Sequence, residues 1–235
     1  DRITFDGKPV KQVTQKIYLM LHKPKGVLTT LDDELGRTTV ASFLGDIHQR
    51  VFPVGRLDWD SEGLLLFTND GDFANKVMQP KNDITKTYLV KVDGRPEDGA
   101  LMKLRQGVSI PGGRVKALSV EKINRKDGSK QYQWLKIVIS EGKNRQIRYM
   151  FEKIGFDVLK LQRIAIGQLK LGNLDKGELA YLDEVDLKRV FVKDLPIEAK
   201  AKTQIKKKKD TSTKRTFKPT GKQDREFNKI FRGQE

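Results

Sequence analysis

The sequence contains no cysteine and only two histidines, and these absences exclude several kinds of site. Without cysteine there is no disulfide scaffold, thiolate-bound zinc, iron–sulfur cluster or thiol nucleophile. With only His22 and His48, we expect neither a multi-histidine metal centre nor a histidine-based proton relay. Any catalysis by this chain therefore has to rely on other side chains.

Long hydrophobic runs are also missing. No apolar segment approaches the ~20 residues that a membrane-spanning helix needs. Asp1–Phe5 lacks the basic start and apolar stretch of a signal peptide. We therefore expect a soluble, cytoplasmic protein without a membrane partner. Because the chain of 235 residues does not begin with Met, we also expect that an N-terminal part of the natural protein is missing.

Positive charge is what the sequence has in excess. Its 47 Lys and Arg against 31 Asp and Glu give a net charge of +16, which indicates a polyanionic partner, most often nucleic acid. Residues 199–235 carry 13 of these cations and 4 acidic residues. That segment has too few apolar residues to offset the entropy of ordering, so we predict a disordered tail. It serves either as an electrostatic arm for RNA phosphates or as a solubilising tail.

Short strands and helices alternate along the rest of the chain, without a regular β-α-β-α rhythm. Apolar runs predict strands over 17–22, 63–68, 86–92, 114–123, 131–140 and 158–166, with a hairpin turn at 124–128. Capping residues and helical spacing predict helices over 39–44, 73–78 (with Asp72 as N-cap), 96–104, 144–154 and 183–191. Hairpins with inserted helices favour an α+β fold with a largely antiparallel mixed sheet and flanking helices.

The loop at 54–63 carries three alternating carboxylates just before a buried strand. Asp58, Asp60 and Glu62 would lie on one side of an extended segment. One interpretation is a metal-binding carboxylate cluster of a metal-dependent nuclease. Another is a single catalytic carboxylate, with the others at the surface. A third is an ordinary turn in which Asp58 caps a helix or pairs with Arg56.

The segment at 141–150 joins a strand to a basic helix. Gly142 separates the two, and the first-turn amides with Lys143 and Arg145 would make a phosphate site. Arg148 lies one turn beyond Arg145 and beside the apolar Ile147, where it could pair with a carboxylate. The alternative is an amphipathic helix with a solvated basic face.

A single tyrosine marks the alternating strand at 86–92. If Leu89 is core, Tyr88 faces the other side of the strand. Its ring could then stack on a base. The alternative is a half-exposed strand tyrosine.

Together these segments resemble the pseudouridine synthases that modify ribosomal RNA with one site per enzyme. The resemblance covers about residues 17 to 190 and depends on four ordered motifs. They are Leu21-His22-Lys23-Pro24-Lys25-Gly26, Gly55-Arg56-Leu57-Asp58 followed by Gly63-Leu64-Leu65-Leu66-Phe67-Thr68-Asn69-Asp70-Gly71, Lys86-Thr87-Tyr88, and Glu141-Gly142-Lys143-Asn144-Arg145-Gln146-Ile147-Arg148. The segments at 131–134 and 142–145 are most similar to the large-subunit (23S rRNA) synthase B group, which acts near the peptidyl-transferase centre.

The resemblance implies a role for each of five residues. Asp58 corresponds to the catalytic aspartate, and Tyr88 to the tyrosine that stacks on the target uracil. Arg148 corresponds to the basic residue that pairs with the aspartate and would keep it charged in a dry pocket. Ile147 corresponds to an apolar residue of the pocket, and Arg56 to a residue that displaces the target base.

Five further residues are predicted to contact RNA. They lie in the first and last of the four motifs and are Lys23, Lys25, Lys143, Asn144 and Arg145. Asp60 and Glu62 have no catalytic counterpart in the family, so the resemblance disfavours the metal cluster. It implies a reaction that uses neither metal nor cofactor, with 23S rRNA as the favoured partner and a monomeric enzyme.

The implied reaction converts uridine to pseudouridine within the RNA chain. Three alternatives stay open: a small-subunit (16S) rRNA synthase, a non-catalytic rRNA-binding or ribosome-assembly protein, and a metal-dependent nuclease that uses Asp58, Asp60 and Glu62. The predicted organisation is a remnant of an N-terminal RNA-binding domain at 1–16, a catalytic domain at 17–192 and a basic tail at 193–235.

Overall fold

The structure is a computed structural model. It describes residues 4–6, 8–9, 15–45, 47–123, 131–193 and 216–217. The predicted hairpin turn at 124–128 and almost all of the predicted disordered tail lie outside the described residues. Within the described part of the chain, no helix is long and apolar enough to cross a lipid bilayer.

The strands form mainly where apolar runs occur in the sequence. They are β1 (Thr4–Phe5), β2 (Lys8–Pro9), β3 (Tyr18–Lys23), β4 (Phe52–Val54), β5 (Glu62–Thr68), β6 (Lys86–Asp93), β7 (Val108–Ile110), β8 (Gly113–Val115), β9 (Ser119–Ile123), β10 (Tyr132–Ile139), β11 (Val158–Ile166), β12 (Leu169–Lys170), β13 (Leu179–Tyr181) and β14 (Thr216–Phe217). Every residue of β5 is buried, as its continuous apolar run predicts.

In the described part of the chain, four α-helices flank the strands: α1 (Gly71–Met78), α2 (Asp98–Gln106), α3 (Gln146–Glu152) and α4 (Glu184–Val190). Helix α1 buries Phe73, Ala74 and Val77 at helical spacing, whereas α4 buries a single apolar residue, Val190. The predicted helix at 39–44 is a single 3₁₀ turn, Val40–Phe43, capped by the Thr39 side chain.

A ten-stranded sheet organises the molecule. Its strands follow the order β14-β13-β3-β5-β11-β6-β10-β9, with β4 on β5 and β12 on β11. β5 and β11 run parallel to each other, whereas the other pairs in this sheet are antiparallel. This arrangement confirms the α+β fold with a mixed, largely antiparallel sheet.

The sheet separates two hydrophobic cores because successive side chains of a strand point to opposite faces. In β5, Leu65 and Phe67 belong to one core, and Leu64 and Leu66 to the other. Helices α2 and α3 pack into the first core, and α1 and α4 into the second. The junction of β5 with β11 therefore lies between the two cores.

Two of the predicted element boundaries are wrong for identifiable reasons. Asp70, not Asp72, caps α1, because its extended backbone lets one carboxylate oxygen accept from the Asp72 and Phe73 amides. The predicted strand at 114–123 is divided. Val115 pairs with Val108 in a small β7–β8 hairpin, whereas the residues from Ser119 onward pair with β10.

Candidate active site

The loop between β4 and β5 is held rigidly by hydrogen bonds from the preceding segment. The Thr29 hydroxyl donates to the Leu57 carbonyl at 2.7 Å and accepts from the Leu57 amide at 3.2 Å. The Gly26 amide donates to the Trp59 carbonyl at 2.8 Å. These contacts hold the backbone on both sides of Asp58, so residues 26–29 fix the part of the loop that carries it.

Lys23 lies beneath the same loop and is fully buried. Its ammonium donates to the carbonyls of Pro24 and Ser61, each at 2.9 Å. Burial lowers the pKa of Lys23 to about 8, although the nearby charges of Asp58 and Asp60 oppose this shift. The predicted RNA contact is incompatible with this burial, so Lys23 supports the Asp58 loop from below.

A cleft of about 690 Å³ opens beside this loop. It brings together residues of three of the sequence motifs. The predicted site residues that line it are Arg56, Asp58, Tyr88, Lys143, Asn144, Arg145 and Ile147. Lys25 is exposed and does not line the cleft. The described residues thus place a carboxylate, a tyrosine ring and several cations around one cavity.

Tyr88 and Ile147 belong to the apolar part of the cleft wall. Tyr88 is 8% exposed on β6 and lies opposite Ile137 of β10 and Arg163 of β11. Ile147 is 4% exposed on α3 and belongs to the same hydrophobic core. An aromatic ring fixed in this way offers a preformed surface to a flat ligand, at little entropic cost.

Arg148 pairs with Asp60, whereas the sequence predicts a pair with Asp58. Its Nη2 lies 3.0 Å from Asp60 Oδ2 and donates to the Asp60 carbonyl at 3.2 Å. Its Nη1 donates to the Val158 carbonyl at 2.9 Å. Arg145 Nη1 lies 3.5 Å from Asp60 Oδ1. The charge of Asp58 acts on Arg148 without a direct ion pair in this structure.

The start of α3 also differs from the prediction. Arg145 adopts a left-handed conformation with φ 47°, so the helix begins at Gln146 rather than at Asn144. The Lys143 amide donates to the Gln146 side chain at 2.9 Å, and the Lys143 ammonium donates to the Gly112 carbonyl at 2.6 Å. These two contacts occupy the Lys143 amide and ammonium, and the phosphate site on the first-turn amides stays a prediction. Asn144 and Arg145 are exposed at the cleft, where RNA contact stays a prediction.

Two of the three carboxylates of the proposed metal cluster, Asp60 and Glu62, form ion pairs with cations. Glu62 is buried and pairs with Lys160 at 3.0 Å and Lys176 at 3.2 Å. Burial alone would raise the pKa of Glu62, but the two ammonium groups outweigh it and lower the pKa. Asp60 forms ion pairs with Arg145 and Arg148. Among the described residues, no group of three His, Cys, Asp or Glu is placed to hold a metal ion.

Three residues of the site were missed from the sequence. Thr29 has no distinguishing signal, because an isolated threonine in a loop is common. Lys86 stands two residues before Tyr88 and lines the cleft. Arg163 also lines it, from within the apolar strand β11. A charged residue inside a predicted buried strand is unusual, and that signal could have identified Arg163.

Comparison with known proteins gives a consistent result. The family model for RNA pseudouridylate synthase matches residues 17–153. The ribosomal large subunit pseudouridine synthase B of Bacillus subtilis (strain 168) is 42% identical over 81% of this chain and 77% of its own length. The ribosomal large subunit pseudouridine synthase E of Vibrio parahaemolyticus is 38% identical over 73% and 76%. A crystal structure of a pseudouridylate synthase superposes with a TM-score of 0.67, at 27% identity and 80% coverage of both chains.

Proposed function

Because the chain belongs to the RNA pseudouridylate synthase family, we propose that it isomerises a uridine of large-subunit (23S) ribosomal RNA to pseudouridine. The observation that carries the proposal is the convergence of Asp58, Tyr88 and Ile147, from three separate motifs, on one cleft. The names of the two relatives support the large subunit as the source of the substrate.

The reaction breaks the N1–C1′ bond, rotates the uracil within the site and joins C5 to C1′. The target base has to leave its stack first, at a cost of a few kcal/mol that contacts with the flanking RNA offset. In the proposal, the exposed cations Arg56 and Arg145 contact that flanking RNA at the cleft. The net charge of +16 strengthens this attraction over a longer range.

Asp58 is the proposed catalytic residue, acting in its ionised form as a nucleophile at C1′ or as a base on the sugar. The loop contacts from Thr29 and Gly26 keep it in place before substrate arrives, so little reorganisation is needed at the moment of reaction. Tyr88 packs against the flipped uracil. Arg148, held by Asp60, adds positive charge close to Asp58.

The proposed working form is a cytoplasmic monomer. One chain supplies every residue of the cleft that the mechanism uses, which is consistent with catalysis by a single copy. Sedimentation of the protein alone and with a short rRNA fragment tests this state. A dimer as the active species would contradict it.

The test uses large- and small-subunit rRNA transcripts labelled with tritium at uracil C5. We expect tritium release from the large-subunit transcript in excess EDTA by the parent chain, but not by Asp58→Asn. Asp72→Asn, which changes an exposed aspartate outside the cleft, is the matched control and should release tritium normally.

The other outcomes refute parts of the proposal. Release from the small-subunit transcript alone would refute the large-subunit substrate. Release by Asp58→Asn would refute the catalytic role of Asp58. Tight binding of both transcripts without release would favour a non-catalytic rRNA-binding or ribosome-assembly protein.

A further inference from the structure

Three cations that line the cleft have no part in the mechanism above. One of them, Lys143, donates to the Gly112 carbonyl at 2.6 Å, and the other two are Arg163 and Lys86. Arg163 on β11 is 5% exposed. Its Nε donates to the Leu64 carbonyl at 2.7 Å, while its Nη2 is buried without a hydrogen-bond partner among the described residues. Lys86 on β6 is half-buried and lines the same cleft. Burial and the charge of Arg163 lower the pKa of Lys86 to about 8.

This pair is poorly explained as a structural feature. Buried charges are normally paired, because an unpartnered charge in the interior is costly. Within the described part of the chain, neither Arg163 nor Lys86 forms an ion pair with a carboxylate. A buried guanidinium with an unused donor in a substrate cleft instead indicates an oxygen acceptor supplied by the ligand.

The positions of Arg163 and Lys86 indicate which part of the substrate they would contact. Lys86 is two residues from Tyr88 on the same strand, so both side chains point to one face of the sheet. Arg163 is the cross-strand partner of Tyr88. The exposed Arg56 and Arg145 are better placed for RNA phosphates. The buried pair therefore lies beside the ring proposed to pack on the target base.

We propose that Arg163 and Lys86 bind the carbonyl oxygens of the target uracil and stabilise the negative charge that the base carries after it detaches. This inference rests on the proposed function. When the N1–C1′ bond breaks, its electron pair leaves with the uracil and spreads over N1, O2 and O4. C5 then donates an electron pair to C1′, the C5 proton passes to solvent, and N1 takes up a proton from solvent.

Positive groups fixed in a cleft stabilise such an anion strongly, because they need no reorganisation as the charge develops. Removal of one preorganised donor to a developing oxyanion typically lowers kcat by about 10²–10³-fold. We therefore expect Lys86→Met to lower the single-turnover rate at saturating RNA by about 100-fold. The affinity for RNA should change by less than about threefold, because phosphate contacts supply most of it.

Lys91→Met is the matched control. Lys91 lies on the same strand but points to the opposite face, where its ammonium lies 4.2 Å from the centre of the Tyr132 ring. It should keep the parental rate. Lys86→Arg retains the charge and should retain most of the activity. Arg163→Lys provides a second measurement at the buried position, and circular dichroism with thermal unfolding confirms that each variant is folded.

The pH dependence of the single-turnover rate distinguishes a charge effect of Lys86 from a role in packing, because a packing role would not depend on the charge of Lys86. The parental single-turnover rate should fall as pH rises through about 8, because Lys86 loses its charge there. Lys86→Arg should show a smaller fall, because Lys23, whose pKa is also about 8, remains in the variant. Superimposable profiles of parent and Lys86→Arg between pH 7 and pH 9.5 would overturn the proposal.

The remaining outcomes separate this inference from the proposed function. An inactive parent chain would refute the proposed function and, with it, this inference. An active parent with an equally active, folded Lys86→Met would refute only the inference. Weaker RNA binding by Lys86→Met, with an unchanged rate at saturating RNA, would show a phosphate contact and would also overturn it.

Discussion

The ion pair between Arg148 and Asp60 predicts a measurable coupling between the two side chains. Their nearest charged atoms are 3.0 Å apart, and the side chains are 13% and 28% exposed, respectively. At an effective dielectric constant of about 20, that distance corresponds to an attraction of roughly 5 kcal/mol. Desolvation of the two partly buried groups opposes much of this attraction. We therefore expect a net coupling of about 2 kcal/mol.

A double-mutant cycle measures this coupling. Asp60→Asn, Arg148→Met and the double variant are unfolded in urea, and the free energies of unfolding are compared with that of the parent. Asp60→Asn leaves the Asp60 backbone carbonyl and the Val158 carbonyl available to Arg148. The single change should therefore cost only about 1–2 kcal/mol. Arg148→Met should cost more, because all of these contacts are lost.

The exposed pair of Lys193 and Asp83 is the control cycle. Its charged atoms are 3.3 Å apart, but the two side chains are 51% and 60% exposed. Solvent screening should reduce that coupling to less than about 1 kcal/mol. A coupling below about 0.5 kcal/mol for Arg148 and Asp60 would mean that their changes are additive, and it would refute the ion pair.

Three further predictions follow from other parts of the molecule. Trp59 is 54% exposed beside Asp58, and we predict that its ring stacks on a base. Trp59→Ala should then weaken RNA binding by about 1–3 kcal/mol in a filter-binding assay. An unchanged Kd would exclude stacking. Burial alone would raise the pKa of Asp70, but hydrogen bonds from Lys16 and Tyr18 outweigh it and lower the pKa to about 2. The ionised Asp70 therefore stabilises the folded protein fully above about pH 4, and this stabilisation is lost as pH falls toward 2. Urea titrations of the parent should show that loss, and Asp70→Ala should lack it. Gly63→Ala should fail to fold or lose several kcal/mol, because a Cβ there would lie 2.2 Å from the Arg163 carbonyl oxygen; a parental melting temperature would contradict this packing.

The sequence predicted the sheet well because its strands are strongly apolar runs. β3, β5, β6, β10 and β11 all lie close to their predicted ranges. Local sequence was sufficient to predict these strands, since burial and extended backbone geometry both favour the apolar residues that they contain. The motifs also identified most of the cleft. Two of those that line it include loops that present polar side chains next to a strand or helix, and the third, at 86–88, is the start of β6.

The ion-pair partner of Arg148, beside the cleft, could not be predicted in the same way. Asp58 and Asp60 are two residues apart, and only the folded loop decides which of them meets Arg148. The burial of Lys23 was missed for a related reason, because lysine is almost always exposed and only the tertiary contacts show otherwise. The left-handed Arg145 is uncommon for a residue with a side chain, so helical periodicity placed the start of α3 too early.

The parallel junction of β5 with β11 has a consequence for how the protein acquires activity. It joins residues 62–63 to residues 162–163, so the Asp58 loop and Arg163 come from chain segments about 100 residues apart. Contacts between such distant segments form late, because loop closure costs entropy before the contact stabilises the chain. During synthesis, Asp58 leaves the ribosome long before its cleft can close. A partly made chain therefore exposes the Asp58 carboxylate before the cleft around it has formed.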